Sequence, residues 1–249
     1  MSSRAVGLLV AYAALSAAAA DTLNLTDAFR DPRRPASQVQ LDQWRKPREV
    51  IAFAGIKAGD RIGDFMPGNA YFTRIFSDLV GRTGHVYAFI PTEQIQHCDP
   101  NEIAGMLAVA QDPSFANVTL VKDSLDRFKV SEKLDVLWTA QNYHDLHDSF
   151  LGPPDVARLN RAFFDSLKPG GILLIIDHVA QSGSGLRDTD TLHRIDPEQI
   201  RQEVEAAGFK LEATSSLLRN PQDDHTKAVF DPVVRGRTDQ VVMRFRKPA

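Results

Sequence analysis

Short apolar runs alternate with amphipathic stretches along most of the chain. The apolar runs are rich in β-branched and aromatic side chains, which predicts strands at residues 61–65, 85–90, 118–122, 134–139 and 171–177. Apolar side chains at helical spacing, with start and stop signals, predict helices at residues 48–54, 71–80, 101–111, 154–167 and 197–207. Two last strands are predicted at residues 209–214 and 240–245.

The alternation of strands and helices predicts the fold class. Several strands are apolar throughout, which indicates that both of their faces are buried. We therefore predict an α/β fold, with a mostly parallel seven-stranded sheet and helices on both faces. Ligands bind at the carboxyl ends of the strands in this architecture, so functional side chains are expected directly after strands.

The first twenty residues have the layout of a secretory signal peptide. Arg4 precedes an apolar stretch at 5–19, and small residues occupy 18–20 before Asp21. The stretch is short for a membrane span, and the alternatives are an uncleaved anchor or a flexible apolar start. We expect cleavage of residues 1–20, export to the periplasm and no stable membrane span afterwards. Residues 21–47 would form a polar extension with one short helix near 39–44, ahead of one domain at 48–249.

Composition and charge narrow the range of partners. Of 249 residues, 43% are hydrophobic and 24% charged, as in ordinary globular domains. The net charge is -3 and both signs are interspersed, so no basic face for nucleic acid is expected. The single cysteine, Cys98, can form neither an intramolecular disulfide nor a thiolate cluster, and we expect it to be a packing residue. Oligomeric state is not predicted.

A turn with ligand-binding character follows the first predicted strand. Residues 64–73 read DFMPGNAYFT and open the helix at 71. Gly68 would let the backbone approach a ligand closely, and the helix N-terminus offers free N–H groups. Asp64 could accept hydrogen bonds from an amine or from backbone N–H groups. A tight turn without a ligand has the same pattern.

Together with other segments, this turn resembles the class I S-adenosylmethionine-dependent methyltransferases. Residues 57–64 and 67–73 are similar to the first motif of that superfamily, which has an acid followed by alternate glycines. Similar segments recur in family order at 80–88, 167–173 and 206–209, so that the resemblance spans roughly 48–245. A narrower resemblance, to largely uncharacterised exported bacterial methyltransferases, rests on residues 142–145, 177–178, 192–196 and 219–221.

The resemblance implies a Rossmann-like methyltransferase fold, S-adenosylmethionine as cofactor and a small-molecule substrate. The residues that it implies for cofactor binding are Asp64, Pro67, Gly68, Asn69, Tyr71, Asp123, Ser124 and Asn142. Of these, Asp123 and Ser124 would lie near the adenine. The residues that would orient or deprotonate the substrate are Tyr143, His144 and Asp145.

The chain departs from the family pattern at three places. Met66 and Ala70 replace the first and third glycines, and the ribose-binding acid falls on Ile90 or Pro91, with Glu93 the nearest acid. S-adenosylmethionine is also made in the cytoplasm. A second hypothesis is therefore an exported non-catalytic or metal-binding protein that retains the fold with a degenerate cofactor site.

The histidines form a second group of candidates. His144 and His178 each follow a predicted strand, so we expect them at the same sheet edge. We expect most histidines to be hydrogen-bonded structural residues. A general base is the next alternative and a divalent-metal site the third. Their spacing matches no specific metal motif, and no metal ligand is predicted. We also expect the polar loop at 220–239 to be a hairpin excursion rather than a lid.

Overall fold

A computed structural model describes residues 28–152 and 154–249, so the predicted signal peptide lies outside the described residues. Seven strands form one sheet: β1 (Arg61–Phe65), β2 (His85–Pro91), β3 (Val118–Asp123), β4 (Leu134–Ala140), β5 (Leu167–His178), β6 (Lys210–Ser215) and β7 (Gln240–Arg246). Their order is β3-β2-β1-β4-β5-β7-β6. The first five strands are parallel to one another, whereas β7 is antiparallel to both β5 and β6. The α/β class and the mostly parallel sheet are confirmed, and the final strand makes the sheet mixed.

Helices precede β1 and connect most of the later strands. They are α1 (Ala36–Gln40), α2 (Asp42–Arg45), α3 (Pro47–Ala54), α4 (Tyr71–Val80), α5 (Thr92–His97), α6 (Ala104–Gln111), α7 (Val156–Ser166), α8 (Thr189–Leu192) and α9 (Pro197–Ala206). The left-handed Gly55 (φ 77°) ends α3 as predicted. In the described part of the extension, α1 and α2 occupy the region where one short helix was predicted, and α5 was not predicted.

Both faces of the sheet are buried, as the apolar strands indicate. In β4, Val136 and Trp138 pack into the core on one face with Ile62, whereas Leu137 packs into the core on the other with Phe65. Because neighbouring residues of a strand point to opposite faces, a strand with apolar residues at every position needs cover on both sides.

The extension packs on the turn before α4. Two nitrogens of Arg34 donate to the Asp42 carboxylate (2.9 and 2.6 Å), and the Tyr71 hydroxyl donates to the same carboxylate (2.6 Å). The Gln38 amide donates to the carbonyl of Asn69 (2.7 Å). These bonds hold α1 and α2 across the end of β1.

Among the helices of residues 28–152 and 154–249, none combines the length and the apolar character that a bilayer span requires.

Candidate functional site

The turn between β1 and α4 has the backbone of an alternate-glycine motif, although only one of the three positions is glycine. Met66, Gly68 and Ala70 all have left-handed backbones, with φ of 55°, 53° and 60°. A left-handed backbone costs a residue with a side chain about 1–2 kcal/mol, whereas glycine adopts it freely. The turn therefore keeps a strained shape at two positions, which only the surrounding structure can stabilise.

Asp64 lies beneath this turn. Its carboxylate accepts a hydrogen bond from the Thr73 hydroxyl (2.6 Å) on α4, and both side chains are buried. Burial raises the pKa of Asp64 to about 7, although the hydrogen bond from Thr73 opposes that rise. The buried acid thus ties the end of β1 to the first turn of α4.

A first cavity of about 500 Å³ opens beside the turn, at the ends of β1 and β4. Extension residues, among them Gln38, Leu41 and Arg45, line its other side. Five of the residues predicted to bind the cofactor line this cavity: Pro67, Gly68, Asn69, Tyr71 and Asn142.

Side-chain amides and a guanidinium hold the walls of the first cavity in place. The Asn142 amide donates to the carbonyls of Met66 (2.9 Å) and Ala140 (2.8 Å), which joins the loops after β1 and β4. Arg45 donates to the side-chain oxygen of Gln141 (3.1 Å), and its guanidinium lies 4.6 Å from the centre of the Tyr71 ring. The cavity therefore has one cationic wall and one wall of loop backbone.

A second cavity of about 400 Å³ adjoins the first and shares Gly68, Gln141 and Asn142 with it. Its remaining lining combines polar and aromatic side chains, including Cys98, His144, Asp145, Phe150, His178, His193 and Phe230. Phe230 belongs to the loop between β6 and β7. That loop joins the antiparallel neighbours β6 and β7, as the hairpin prediction expects, and it also reaches the rim of the cavity.

His144 is the centre of a buried polar cluster in the second cavity. Its Nδ1 lies 2.7 Å from Asp177 Oδ1, its Nε2 lies 3.1 Å from Asp145 Oδ1, and its backbone N–H donates to Asp177 Oδ2 (2.8 Å). Burial lowers the pKa of His144, but the Asp177 and Asp145 carboxylates outweigh it and raise that pKa well above its usual range.

His178 lies beside His144, as predicted from their positions after β4 and β5. The two ring centres are 5.9 Å apart, and His178 Nδ1 lies 2.6 Å from the hydroxyl oxygen of Thr238. Burial lowers the pKa of His178 to about 3. The imidazole of His178 is therefore neutral across the physiological range.

Four predicted site residues line neither cavity. Tyr143 is fully buried; its hydroxyl donates to Glu203 (2.9 Å) and accepts from the Asn160 amide (2.7 Å). Asp64 lies under the turn, as described. Both side chains are engaged inside the core, and their contact with a ligand stays a prediction.

Asp123 and Ser124 are the other two, at the end of β3. The Asp123 carboxylate accepts from Arg127 (2.6 Å) and from the Ser124 backbone N–H (2.8 Å). Glu93, the acid nearest to the expected ribose position, accepts from the backbone N–H of Leu125 (3.2 Å). These side chains stabilise the turn after β3 instead of facing either cavity.

Sequence reasoning did not place Asp148 or His193 in the site. His193 Nδ1 lies 3.3 Å from Asp148 Oδ2 and 3.7 Å from Asp145 Oδ1. The repeated acid-His pattern at 144–148 was the available signal, but the approach of His193 depends on how a distant loop folds.

Comparisons with known proteins bear on the fold. No family model and no curated protein matches the chain. Among solved structures, a SAM-dependent methyltransferase from Aquifex aeolicus is 16% identical, with a TM-score of 0.55 over 80% of this chain and 88% of its own. A S-adenosylmethionine-dependent methyltransferase from Mesorhizobium loti is 17% identical, with a TM-score of 0.54 over 83% and 99%.

The (4+2)-cyclase SpnF is also similar, at 18% identity and a TM-score of 0.60 over 88% of this chain and 84% of its own. Proteins of this fold thus include one named for a reaction other than methyl transfer, so the fold does not fix the reaction. The chain has the Rossmann-like α/β fold of the class I S-adenosylmethionine-dependent methyltransferases.

Proposed function

We propose that the protein is a S-adenosylmethionine-dependent methyltransferase that acts on a small molecule. The observation that carries the proposal is the turn at Met66, Gly68 and Ala70, which has three left-handed residues beside the first cavity. Two of these residues are strained by that backbone. A ligand that needs close contact with the backbone of this turn would explain why the protein keeps the strained conformation.

The first cavity suits the methionine end of the cofactor. Arg45 supplies a guanidinium that can pair with a carboxylate, and Asn142 lines the same cavity from the loop after β4. The ribose end has a weaker fit, because neither Asp123 nor Glu93 lines the cavities. We therefore expect the affinity to come mainly from the methionine end.

The second cavity is where a substrate would lie. It shares Gly68, Gln141 and Asn142 with the first cavity, so a nucleophile there can reach the methyl group of a cofactor bound at the turn. The cofactor supplies the electrophilic methyl carbon, and the protein aligns the nucleophile with it. Of the predicted catalytic residues, His144 and Asp145 line this cavity.

Equilibrium dialysis against methyl-labelled S-adenosylmethionine tests the proposal. Gly68→Ala places a methyl group at the cavity wall, on a left-handed backbone (φ +53°). Gly170→Ala is the control, because it imposes similar left-handed strain (φ +77°) at the far end of β5, away from the cavity. We expect binding by the wild type and by Gly170→Ala, and binding at least about tenfold weaker for Gly68→Ala, as loss of about 1.4 kcal/mol produces.

Absence of binding by the folded wild type would instead favour the alternative, an exported non-catalytic protein with a degenerate cofactor site. Equal binding by both glycine variants would show that the ligand lies elsewhere.

We also propose that the protein is exported to the periplasm. The support is the basic, apolar and small-residue order of residues 1–20. Expression of the full chain, fractionation and N-terminal sequencing test this; a mature N-terminus near Asp21 in the periplasmic fraction is expected, and an intact N-terminus in the cytoplasm would contradict it.

A further inference from the structure

We propose that His144, Asp145, Asp148 and His193 form a zinc site in the wall of the second cavity. The four side chains come from two places in the chain: three from the segment after β4, and His193 from the end of α8. One nitrogen or oxygen from each lies within 4.8 Å of those of the other three.

The spacing of the four atoms suits tetrahedral zinc. Asp145 Oδ1 lies 3.1 Å from His144 Nε2 and 3.7 Å from His193 Nδ1. His193 Nδ1 also lies 3.3 Å from Asp148 Oδ2. Ligands of a tetrahedral zinc ion with bonds of about 2.0–2.1 Å stand about 3.3–3.4 Å apart. Small side-chain shifts would therefore complete the coordination.

Asp148 is the independent observation that points to a cation. The residue is 1% exposed, and neither carboxylate oxygen has a hydrogen-bond partner. An unpartnered buried carboxylate is strongly unfavourable. Its Oδ2 lies 3.3 Å from His193 Nδ1, so the carboxylate points into the cluster. A bound cation would compensate the buried charge.

Asp177 orients His144 as a metal ligand. A carboxylate at Asp177 only accepts, so the Nδ1 of His144 carries the proton in their 2.7 Å contact. The Nε2 of His144 faces Asp145 and the cluster, and a cation bound there would displace its proton and use its lone pair. A carboxylate behind the ligating histidine is the usual second partner in protein zinc sites, where it fixes the tautomer and the ring.

The donor set selects the class of metal. Two imidazole nitrogens and two carboxylate oxygens suit zinc and other first-row transition metals, whereas Mg²⁺ and Ca²⁺ prefer oxygen ligands throughout. Four protein ligands fill a tetrahedral shell and indicate a structural ion. The ion would fasten the segment at 144–148 to the end of α8. It would also replace the predicted general-base role of His144, because the metal takes the Nε2 lone pair.

Zinc retention by the full chain tests the inference without any cofactor. The protein is stripped with a chelator, loaded with ZnCl₂, desalted and assayed for zinc by mass spectrometry, and affinity is measured by competition with a chromogenic chelator. Asp148→Asn and His193→Asn remove ligands. His225→Asn is the matched control, because His225 is also left-handed (φ 63° against 53° for His193) and pairs with Asp239 outside the cluster.

We expect about one zinc per chain for the wild type and for His225→Asn, and an affinity lower by at least about 100-fold in both ligand variants. At equal zinc concentration the Tm should rise more for the wild type than for Asp148→Asn, whereas the metal-free Asp148→Asn should be more stable than the metal-free wild type. No retained zinc in the folded wild type, or wild-type affinity in Asp148→Asn, would overturn the inference. Neither result depends on S-adenosylmethionine binding.

Discussion

The carboxylate of Asp177 joins the ends of β4 and β5 by holding His144 at two points. It accepts from the His144 backbone N–H at 2.8 Å and lies 2.7 Å from the His144 imidazole Nδ1. The backbone N–H of His178 donates to the same carboxylate at 2.7 Å. Since Asp177 is fully buried, this one side chain sets the orientation of the imidazole that faces the second cavity.

Replacement of Asp177 by Asn should therefore destabilise the protein. Asn keeps one acceptor but loses the charge that balances the buried His144, and breaking a buried charged pair typically costs about 3 kcal/mol or more. Urea unfolding at pH 7 measures the effect. The control Asp190→Asn alters an exposed carboxylate that contacts Ser149 and should change stability by less than about 0.5 kcal/mol. Equal midpoints for the two variants would contradict the assigned role.

Asp64 should make stability fall as the pH rises. Its pKa in the folded protein is about 7 against an ordinary value of 3.8, so the folded state holds a proton that the unfolded state releases. The stabilisation is complete below pH about 4 and is lost as the pH rises through 7, by at most about 4 kcal/mol.

Asp64→Asn removes this contribution. Unfolding free energies of both proteins at pH 4, 5, 6 and 7 should show the variant gaining stability relative to the wild type as the pH increases. Parallel pH profiles would show that Asp64 is ionised in the folded protein.

Ala70 should tolerate glycine but not valine. Ala70→Gly relieves the left-handed strain but loses a buried methyl group and adds unfolded-state entropy, so the net change should stay within about 1 kcal/mol. Ala70→Val puts a β-branched side chain on a left-handed backbone and should cost more than about 2 kcal/mol. The control Ala54→Val enlarges an equally buried alanine in α3. If Ala54→Val lowered the denaturation midpoint as much as Ala70→Val or more, the backbone strain assigned to Ala70 would be contradicted.

The buried pair of Arg194 and Asp223 should anchor the loop before β7, which carries Phe230 to the second cavity. Two guanidinium nitrogens bond the carboxylate at 2.9 and 3.0 Å, and both side chains are inaccessible to solvent. Asp223→Ala should cost about 3–5 kcal/mol, because it leaves a buried guanidinium unpaired.

The control for this pair is Glu198→Ala, which breaks a surface pair with Arg201 and should leave the unfolding midpoint unchanged. Hydrogen exchange should also rise across residues 216–239 in Asp223→Ala only. Unaltered exchange in that loop would show that other contacts hold it.

Local sequence signals predicted the elements around the site well. The strand at β1 and the helix at α4 match their predicted bounds, because apolar periodicity and the intervening turn residues act over a few positions. The meeting of His144 and His178 was also predictable, since each follows a strand and the ends of parallel strands share one edge.

Features that depend on long-range packing were not predictable in this way. Tyr143 follows β4 like His144, but its side chain turns into the core toward Glu203, which no sequence pattern indicated. Asp148 and His193 meet only because α8 folds back on the segment after β4. The antiparallel direction of β7 likewise depends on how the chain returns to the sheet after β6, which local residue patterns do not encode.

Calorimetric titration of the full chain with S-adenosylhomocysteine tests the central claim most directly, since this product binds without turnover. The account predicts saturable binding at one site per chain, abolished or strongly weakened in Gly68→Ala and retained in Gly170→Ala. Absence of heat, together with an unchanged Tm at millimolar ligand, would contradict a cofactor site at the turn of Met66, Gly68 and Ala70.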